Sequence, residues 1–390
     1  MTAVPDIHLD RLRDVALHPI GDKVRRGERL SAADAVALYR TPDLLGVGHL
    51  ADAINRARHG DVVTFASNQH INPTNICVLR KTCVFCGYAR LPKEAGAYRY
   101  SLEQVLAEAA QATDSMTREF HIVGGLDMQA GLEYYTTMFR ALKAAHPQVH
   151  IKALTAVEIA HIARIEKMSW TDVLVALREA GLDTMPGGGA ETFSAAVRDV
   201  IADKKLGGAD YINVHRAAHQ LGIRTNCTML YGHVETIEDR VEHLTMLREL
   251  QDETRGFLAF IPLAYHPDDN ELGATLGRQG TSTTGFDDLR NLAVGRLFLD
   301  NFEHIKSHWI MVSPSLTQIA LAFGVNDIEG TVVREKIYHA VGAQTKQGMS
   351  LDELLRLIRG ANKQPAERDS FYRIIRTFDD VPAEPIGAAA

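Results

Sequence analysis

The sequence predicts an α/β protein built as a (β/α) barrel, and three observations carry that expectation. From about residue 60 to residue 340, short apolar runs rich in β-branched residues alternate with amphipathic helices. Strands separated in this way lie parallel and are joined by right-handed crossovers. No G-x-G-x-x-G turn follows the first strand, so about six to eight such units suit a barrel better than an open doubly wound sheet.

Residues 1–60 read as an N-terminal helical segment packed on the barrel, with "HLDRLRDVALHP" and "SAADAVALYR" among its short helices. The barrel spans 61–345. Its strands are placed at "VVTFASNQHINPTN", "FHIVGG" (120–125), "HIKALTA" (150–156), "IRTNCTMLYG" (223–232), "FLAFIPLAY" (257–265) and "HWIMVS" (308–313). In the first helix between them, Ser101 and Gln104 can form a capping box, and Leu102, Val105, Leu106 and Ala109 share a face. "SWTDVLVALREAGLD" follows the same logic, with Gly181 placed to stop the helix. "IEDRVEHLTMLRELQDET" and "FDDLRNLAVGRLFLDNF" complete the alternation. Residues 346–377 read as a C-terminal helical region and 378–390 as a mobile tail.

Composition narrows the function. Hydrophobic residues make up 46% and charged residues 23%, which is ordinary for a globular protein, and the net charge of −7 argues against a nucleic-acid or anionic-membrane partner. No apolar run approaches the roughly 20 residues that span a bilayer, and the first residues do not read as a secretory signal. Four cysteines in 390 residues cannot be a disulfide scaffold. The expected compartment is the cytoplasm.

Three of those cysteines, Cys77, Cys83 and Cys86, form C-x5-C-x2-C directly after a strand, on the face where barrels build their active sites. The loop between them, "VLRKT", is a poor place for inert buried thiols. Structural zinc needs a fourth ligand, for which His70 and Cys227 are candidates. An iron–sulfur cluster on three cysteines leaves one iron open. His215 and His219 share a helix face at i, i+4 but lack the glutamate of H-E-x-x-H, and His304 and His308 are no stronger; both pairs read as structural. "MPGGGAETF" lacks the Lys-Ser/Thr of a phosphate loop, so its glycines leave room for a ligand, and Glu191 is a candidate helix-dipole cap.

"CVFC", with Phe85 before the last cysteine, resembles the second half of the radical S-adenosylmethionine (SAM) signature, although the first gap is five residues rather than three. "HINPTNIC", "HIVGGL", "IKALTAVEI", "GLDTMPGGGAETF", "HRAAHQLGIRTNCTMLYGHVET", "LRELQDET", "FIPLAYHP" and "GVNDIEGT" extend the resemblance to the radical SAM enzymes of the futalosine pathway of menaquinone biosynthesis. Two sister branches, a synthase and a cyclase, share these motifs. "KALTAVEI", "HRAAH", "MLYGH" and "FIPLAYHP" resemble the synthase versions.

The resemblance implies a TIM-type barrel of the radical SAM kind. It further implies a [4Fe–4S] cluster on Cys77, Cys83 and Cys86, whose open iron binds SAM, and no catalytic side chain beyond the cluster. SAM is consumed as a co-substrate: its 5′-deoxyadenosyl radical adds to 3-[(1-carboxyvinyl)oxy]benzoate with loss of the carboxyl group, giving 6-amino-6-deoxyfutalosine. The partners implied are this small molecule and a low-potential electron donor such as flavodoxin or ferredoxin. Phe85, Tyr88, Gly124, Gly125, Glu158, Thr228, Leu230 and Gly232 are the implied SAM contacts; Leu126 then Asp127 follow the glycines where most relatives carry an acid at once. Thr228, Leu230, Gly232 and Glu235 follow G-x-I-x-G-x-x-E except at its first glycine. Arg90, Gly188, His233 and His266 are candidates for the substrate, and Cys227 reads as a packing residue. The cyclase and a non-catalytic, zinc-stabilised barrel are the alternatives.

Overall fold

Eleven strands are described: β1 (Val62–Phe65), β2 (Asn68–Ile71), β3 (Glu119–Ile122), β4 (His150–Ala153), β5 (Thr184–Met185), β6 (Arg224–Tyr231), β7 (Phe257–Ala264), β8 (His304–Ser307), β9 (Asp327–Ile328), β10 (Gln364–Arg368) and β11 (Ile374–Thr377). They form one sheet in the order β11–β10–β1–β9–β8–β7–β6–β5–β4–β3–β2. Every pairing is parallel except β10–β11. The computed structural model describes all residues except 1, 5–6, 112–116, 280–281, 333–334 and 379–390, so the expected tail lies, beyond Phe378, outside the described residues.

The sheet curls into a partial barrel because one stretch, 62–71, serves both of its ends. β1 pairs with β9 through Thr64 and Asp327, while β2 pairs with β3 from Asn68↔Glu119 to Ile71↔Ile122. Between them the Thr331 amide donates to Ala66 O, and the Asn68 amide to Thr331 Oγ1. β6 and β7 are buried along almost their whole length, as expected of parallel strands covered on both faces.

Helices wrap the outside, and their starts are written in the sequence. The Ser101–Gln104 box forms as expected, and the same S/T-x-x-D/E device starts the helices Ala32–Arg40, Ala156–Glu166, Ile237–Thr254, Gly285–Phe298 and Leu351–Arg359. Gly181 follows the helix Trp170–Glu179 at φ +115°. At the N-terminus the helix Leu44–His59 lays Val47, Leu50, Ala51 and Ile54 against Gly285–Phe298.

Two segments differ from expectation. "HWIMVS" is not a strand: β8 ends at Ser307 and Trp309–Val312 is a short helix, with Trp309 Nε1 donating to Glu329 O and Gly330 O. A short apolar run has no periodicity that separates strand from helix. The region 346–377 is helical only over Leu351–Arg359; β10 and β11 follow, and β10 pairs along β1 from Val62↔Gln364 to Phe65↔Glu367. "QPAER" lacks the usual strand residues because polar contacts hold it instead. Arg368 donates Nε to Asp327 Oδ1 (2.7 Å) and Nη2 to Asp327 Oδ2 (2.8 Å), fully buried.

Candidate active site

The three cysteines sit on a loop that leaves β2 and is tied down on both sides. The Cys77 amide donates to Arg90 O and the Arg90 amide to Asn75 O, so the two ends of the loop run side by side. The extra residues of the long first gap are absorbed in tight turns: the Arg80 amide bonds Cys77 O, and those of Thr82 and Cys83 both bond Leu79 O. Arg80 reaches outward to Glu94 (3.5 Å), while Leu79 faces the same cavity as the cysteines. The Val84 amide on Ile201 O and the Leu272 amide on Val84 O buttress the loop from two further segments.

All three cysteines line a cavity that runs from this loop into the barrel. Burial pushes the Cys77 thiol up and that of Cys83 up to about 12; Lys205 opposes both shifts, and Cys86 reinforces them. Lys205 is half-buried, and Glu191 and Cys83 hold it above the ordinary lysine range against the cost of its burial. Its Nζ bonds Glu191 and lies 5.2 Å from the centre of the Phe85 ring. Glu191 is therefore an ion-pair partner in a loop, not a helix cap; the next helix starts at Ala195.

Phe85, Tyr88, Gly124, Gly125, Glu158, Gly188, Thr228, Leu230 and His266 line the same cavity. Several do so for reasons other than those expected. The Gly124–Gly125 turn packs on the backbone leading into the cysteine loop: a Cβ on Gly124 would lie 2.8 Å from Thr74 O, and the Gly125 amide donates to that oxygen. Glu158 holds this turn, accepting from the Gly124 amide (2.9 Å) and, as a capping box, from the Thr155 amide (2.7 Å). Burial raises its carboxyl to about 7 despite these bonds. Gly187 brings its loop onto β6, where a Cβ would lie 2.5 Å from Cys227 Cα. Tyr88 bonds Tyr98 through its hydroxyl (2.6 Å).

Three expected ligand contacts are not brought to the cavity. Arg90 turns its guanidinium onto Gly87 O and Ala89 O, bracing the cysteine loop. Gly232 and His233 belong to a turn held by Glu235, which accepts from both their amides and pairs with Arg240. His233 is buried, with Nε2 on Leu230 O and Nδ1 3.1 Å from Glu235. Thr236, not Glu235, caps the following helix. Asp127 is spent on Arg99 (2.6 and 2.8 Å). Cys227 is fully buried against Ala259 O and does not line the cavity. Of the two histidine pairs, His215 and His219 are held inside the fold, while the second pair divides. His215 and His219 share Thr225 Oγ1, and His304 stacks on Tyr372; His308, however, lines the cavity.

At the cavity's far end the sequence singles out only His70, as a possible zinc ligand, and His308, in a pair read as structural. His70, His121, Lys152, Lys306, His308, Glu329 and Glu335 line this end, and Lys152 and Lys306 form ion pairs of 2.7 Å with Glu119 and Glu329. The available signal is the alternation of polar and apolar residues in "EFHI" and "HIKA" and the polar residues within the strands "NQHI" and "HIKS", which place polar side chains inside a barrel.

The residues fit an iron–sulfur cluster. Three cysteines converge on one cavity without a fourth, and the opening beside them is lined by backbone-rich glycine turns. Among the described residues no three ligating side chains stand close enough for a single metal ion. A cluster, whose cysteines bind different irons, spans more. A curled parallel barrel with such a rim defines the radical SAM class of enzyme.

Comparison with known proteins agrees. The radical SAM superfamily matches residues 71–247, and the CofH/MqnC C-terminal region matches residues 254–381. The aminodeoxyfutalosine synthase of Thermus thermophilus is 45% identical over 95% of this chain and 99% of its own. The cyclic dehypoxanthine futalosine synthase of Streptomyces coelicolor is 35% identical over 95% of this chain and 92% of its own. In fold, the crystal structure of methylornithine synthase superposes with a TM-score of 0.71 at 16% identity, covering 89% of this chain and 97% of the other. The chain belongs to the radical SAM superfamily, in the family of aminodeoxyfutalosine synthase. It is an enzyme that uses a [4Fe–4S] cluster and SAM.

Proposed function

We propose that the enzyme transfers the 5′-deoxyadenosyl group of SAM to the vinyl carbon of 3-[(1-carboxyvinyl)oxy]benzoate, with loss of a carboxyl group, to give 6-amino-6-deoxyfutalosine. The observation that carries this reading is the 45% identity to an aminodeoxyfutalosine synthase over nearly the whole of both chains. When bound, the cluster supplies the electron that cleaves SAM, and the chemistry is largely the cofactor's. The protein's share is to bind, orient and exclude water. Cys77, Cys83 and Cys86 hold the cluster; Phe85, Gly124, Gly125, Thr228 and Leu230 border SAM, with Glu158 fixing the glycine turn. A low-potential donor such as flavodoxin or ferredoxin delivers the electron, in the cytoplasm.

The test is an anaerobic incubation with SAM, a reductant and the enolpyruvyl benzoate, read by mass. The adenosylated product is expected. Release of 5′-deoxyadenosine with no adduct, and turnover of a preformed nucleoside instead, would assign the cyclase reaction of the 35% identical relative. Zinc without iron or sulfide in anaerobically purified protein would overturn both. His266, which lines the cavity with Nε2 on Met311 O (3.1 Å), is placed to position the substrate. His266→Ala is expected to retain iron and SAM cleavage while adduct formation falls at least about tenfold. Loss of iron would make its role structural.

A further inference from the structure

The far end of the cavity is built from groups that the chemistry at the cysteines does not use. Strand register sets His70, His121 and Lys152 side by side: His70 is the partner of His121, and His121 of Lys152. The two imidazoles stack with centroids 4.6 Å apart. The same cavity is lined by Lys306 in β8 and His308 just beyond it, both close enough to His70 to act on it electrostatically. Burial lowers the pKa of all three histidines, His308 to about 4, so each ring is neutral at pH 7 and carries one N–H.

The balance of donors and acceptors there is uneven. Each carboxylate lining the cavity is already engaged. Glu329 accepts from Asn68 Nδ2 and the Gly330 amide and pairs with Lys306; Glu335 accepts from the amides of Ile337, Tyr338 and His339. Glu158 holds the glycine turn, and Glu191 holds Lys205. His70 Nε2 and His308 Nδ1, by contrast, are buried without any partner, and His308 Nε2 stands 3.7 Å from Glu329, too far for a hydrogen bond. Each ammonium has three N–H groups and one close carboxylate. Among the described residues, Asn226 Oδ1, on β6 two residues before Thr228, is the one side-chain oxygen lining the cavity that is buried without a partner. Buried polar atoms without partners are costly, and the two ammonium groups can only donate, so an occupant that brings acceptor oxygens satisfies this end, with each ring in the tautomer that presents its free nitrogen as N–H.

We propose that this end is the seat of the substrate's ring carboxylate, with His70 Nε2 and His308 Nδ1 donating to it and Lys152 and Lys306 supplying positive charge. The assignment rests on the reaction proposed above, in which the enolpyruvyl group must face SAM beside the cysteines. The benzoate carboxylate then lies at the opposite end of the cavity.

His70→Phe and His308→Phe keep ring shape and remove the donor without exposing a buried charge; iron content and the visible spectrum verify the fold. Binding of 3-[(1-carboxyvinyl)oxy]benzoate is measured without reductant, so no turnover is needed, beside its analogue carrying a neutral ring carboxamide. Each variant is expected to weaken binding of the acid by roughly tenfold to a hundredfold, leave the carboxamide unchanged, and recover in part as His→Gln. Equal loss for both ligands, or no loss, overturns the seat. Binding with this pattern but no adenosylated product overturns the reaction and leaves the seat standing. A product formed with unchanged affinity in both variants does the reverse, and absence of binding to the wild type overturns both.

Discussion

Cys77, Cys83 and Cys86 differ from Cys227 in surroundings rather than in chemistry. The first three project from one loop into a cavity beside Lys205, whereas Cys227 is fully enclosed on β6 against Ala259 O. Alanine at any of the first three positions is expected to remove the cluster, with iron and acid-labile sulfide falling to background. Cys227→Ala is expected to retain about four irons per chain. A cluster of wild-type content in any of the first three variants would show that a different set of ligands is used. Residue types at motif spacing are legible in this way because the motif is local. The roles of Arg90, Gly232 and His233 are not, since each is taken up by a turn of its own loop, onto Gly87 O and Ala89 O for Arg90 and onto Glu235 for the other two, and residue type alone does not show which way the turn points the side chain.

At the scale of elements, the least expected pieces are β10 and β11. Their place on the sheet depends on the buried pair between Arg368 and Asp327, which Tyr372 joins through its hydroxyl (3.1 Å). Removing Arg368 leaves Asp327 buried with the hydroxyls of Thr64 and Tyr372 and with Lys306 only at 4.0 Å. Arg368→Met is expected to destabilise the protein by about 3–5 kcal/mol, read as a lowered guanidinium midpoint, with an unchanged iron content per folded molecule. A change under about 1 kcal/mol would mean that water reaches Asp327. The strands β3, β4, β6 and β7 are legible from their apolar, β-branched runs, whereas β5, two residues long at Thr184–Met185, is not. "QPAER" and the run around Trp309 are not, since the contacts that decide them come from residues far away in sequence. The polar far end of the cavity is half legible: the alternation is in the sequence, but only strand register shows that His70, His121 and Lys152 meet.

Across the whole molecule, burial gives the protein a strong dependence on acid. It holds His59, His150 and His308 near pKa 4 and His219 and His243 near 3, all below their ordinary value of 6.5. Between about pH 4 and 6.5 the unfolded chain takes up protons that the folded chain refuses, so stability rises with pH there and is lost as pH falls. Each such histidine contributes at most about 1.4 kcal/mol per pH unit. Glu158, raised to about 7 by burial, acts oppositely, its share declining from about pH 4.5 to 7. The guanidinium midpoint of the holoenzyme is therefore expected to be lower at pH 5.5 than at pH 7.0; equal midpoints would mean that the buried imidazoles are protonated in the fold. The shared stretch of β1 and β2 carries a further consequence, in the order of synthesis. β2 finds its neighbour β3 about fifty residues later, so the side of the barrel that holds the cysteine loop can assemble while the chain is still emerging. β1 waits for Asp327 and then for Gln364–Glu367, contacts of very long loop closure. The strand that leads into the cysteine loop is thus set by contacts of far shorter loop closure than those that bring up the opposite wall of the cavity.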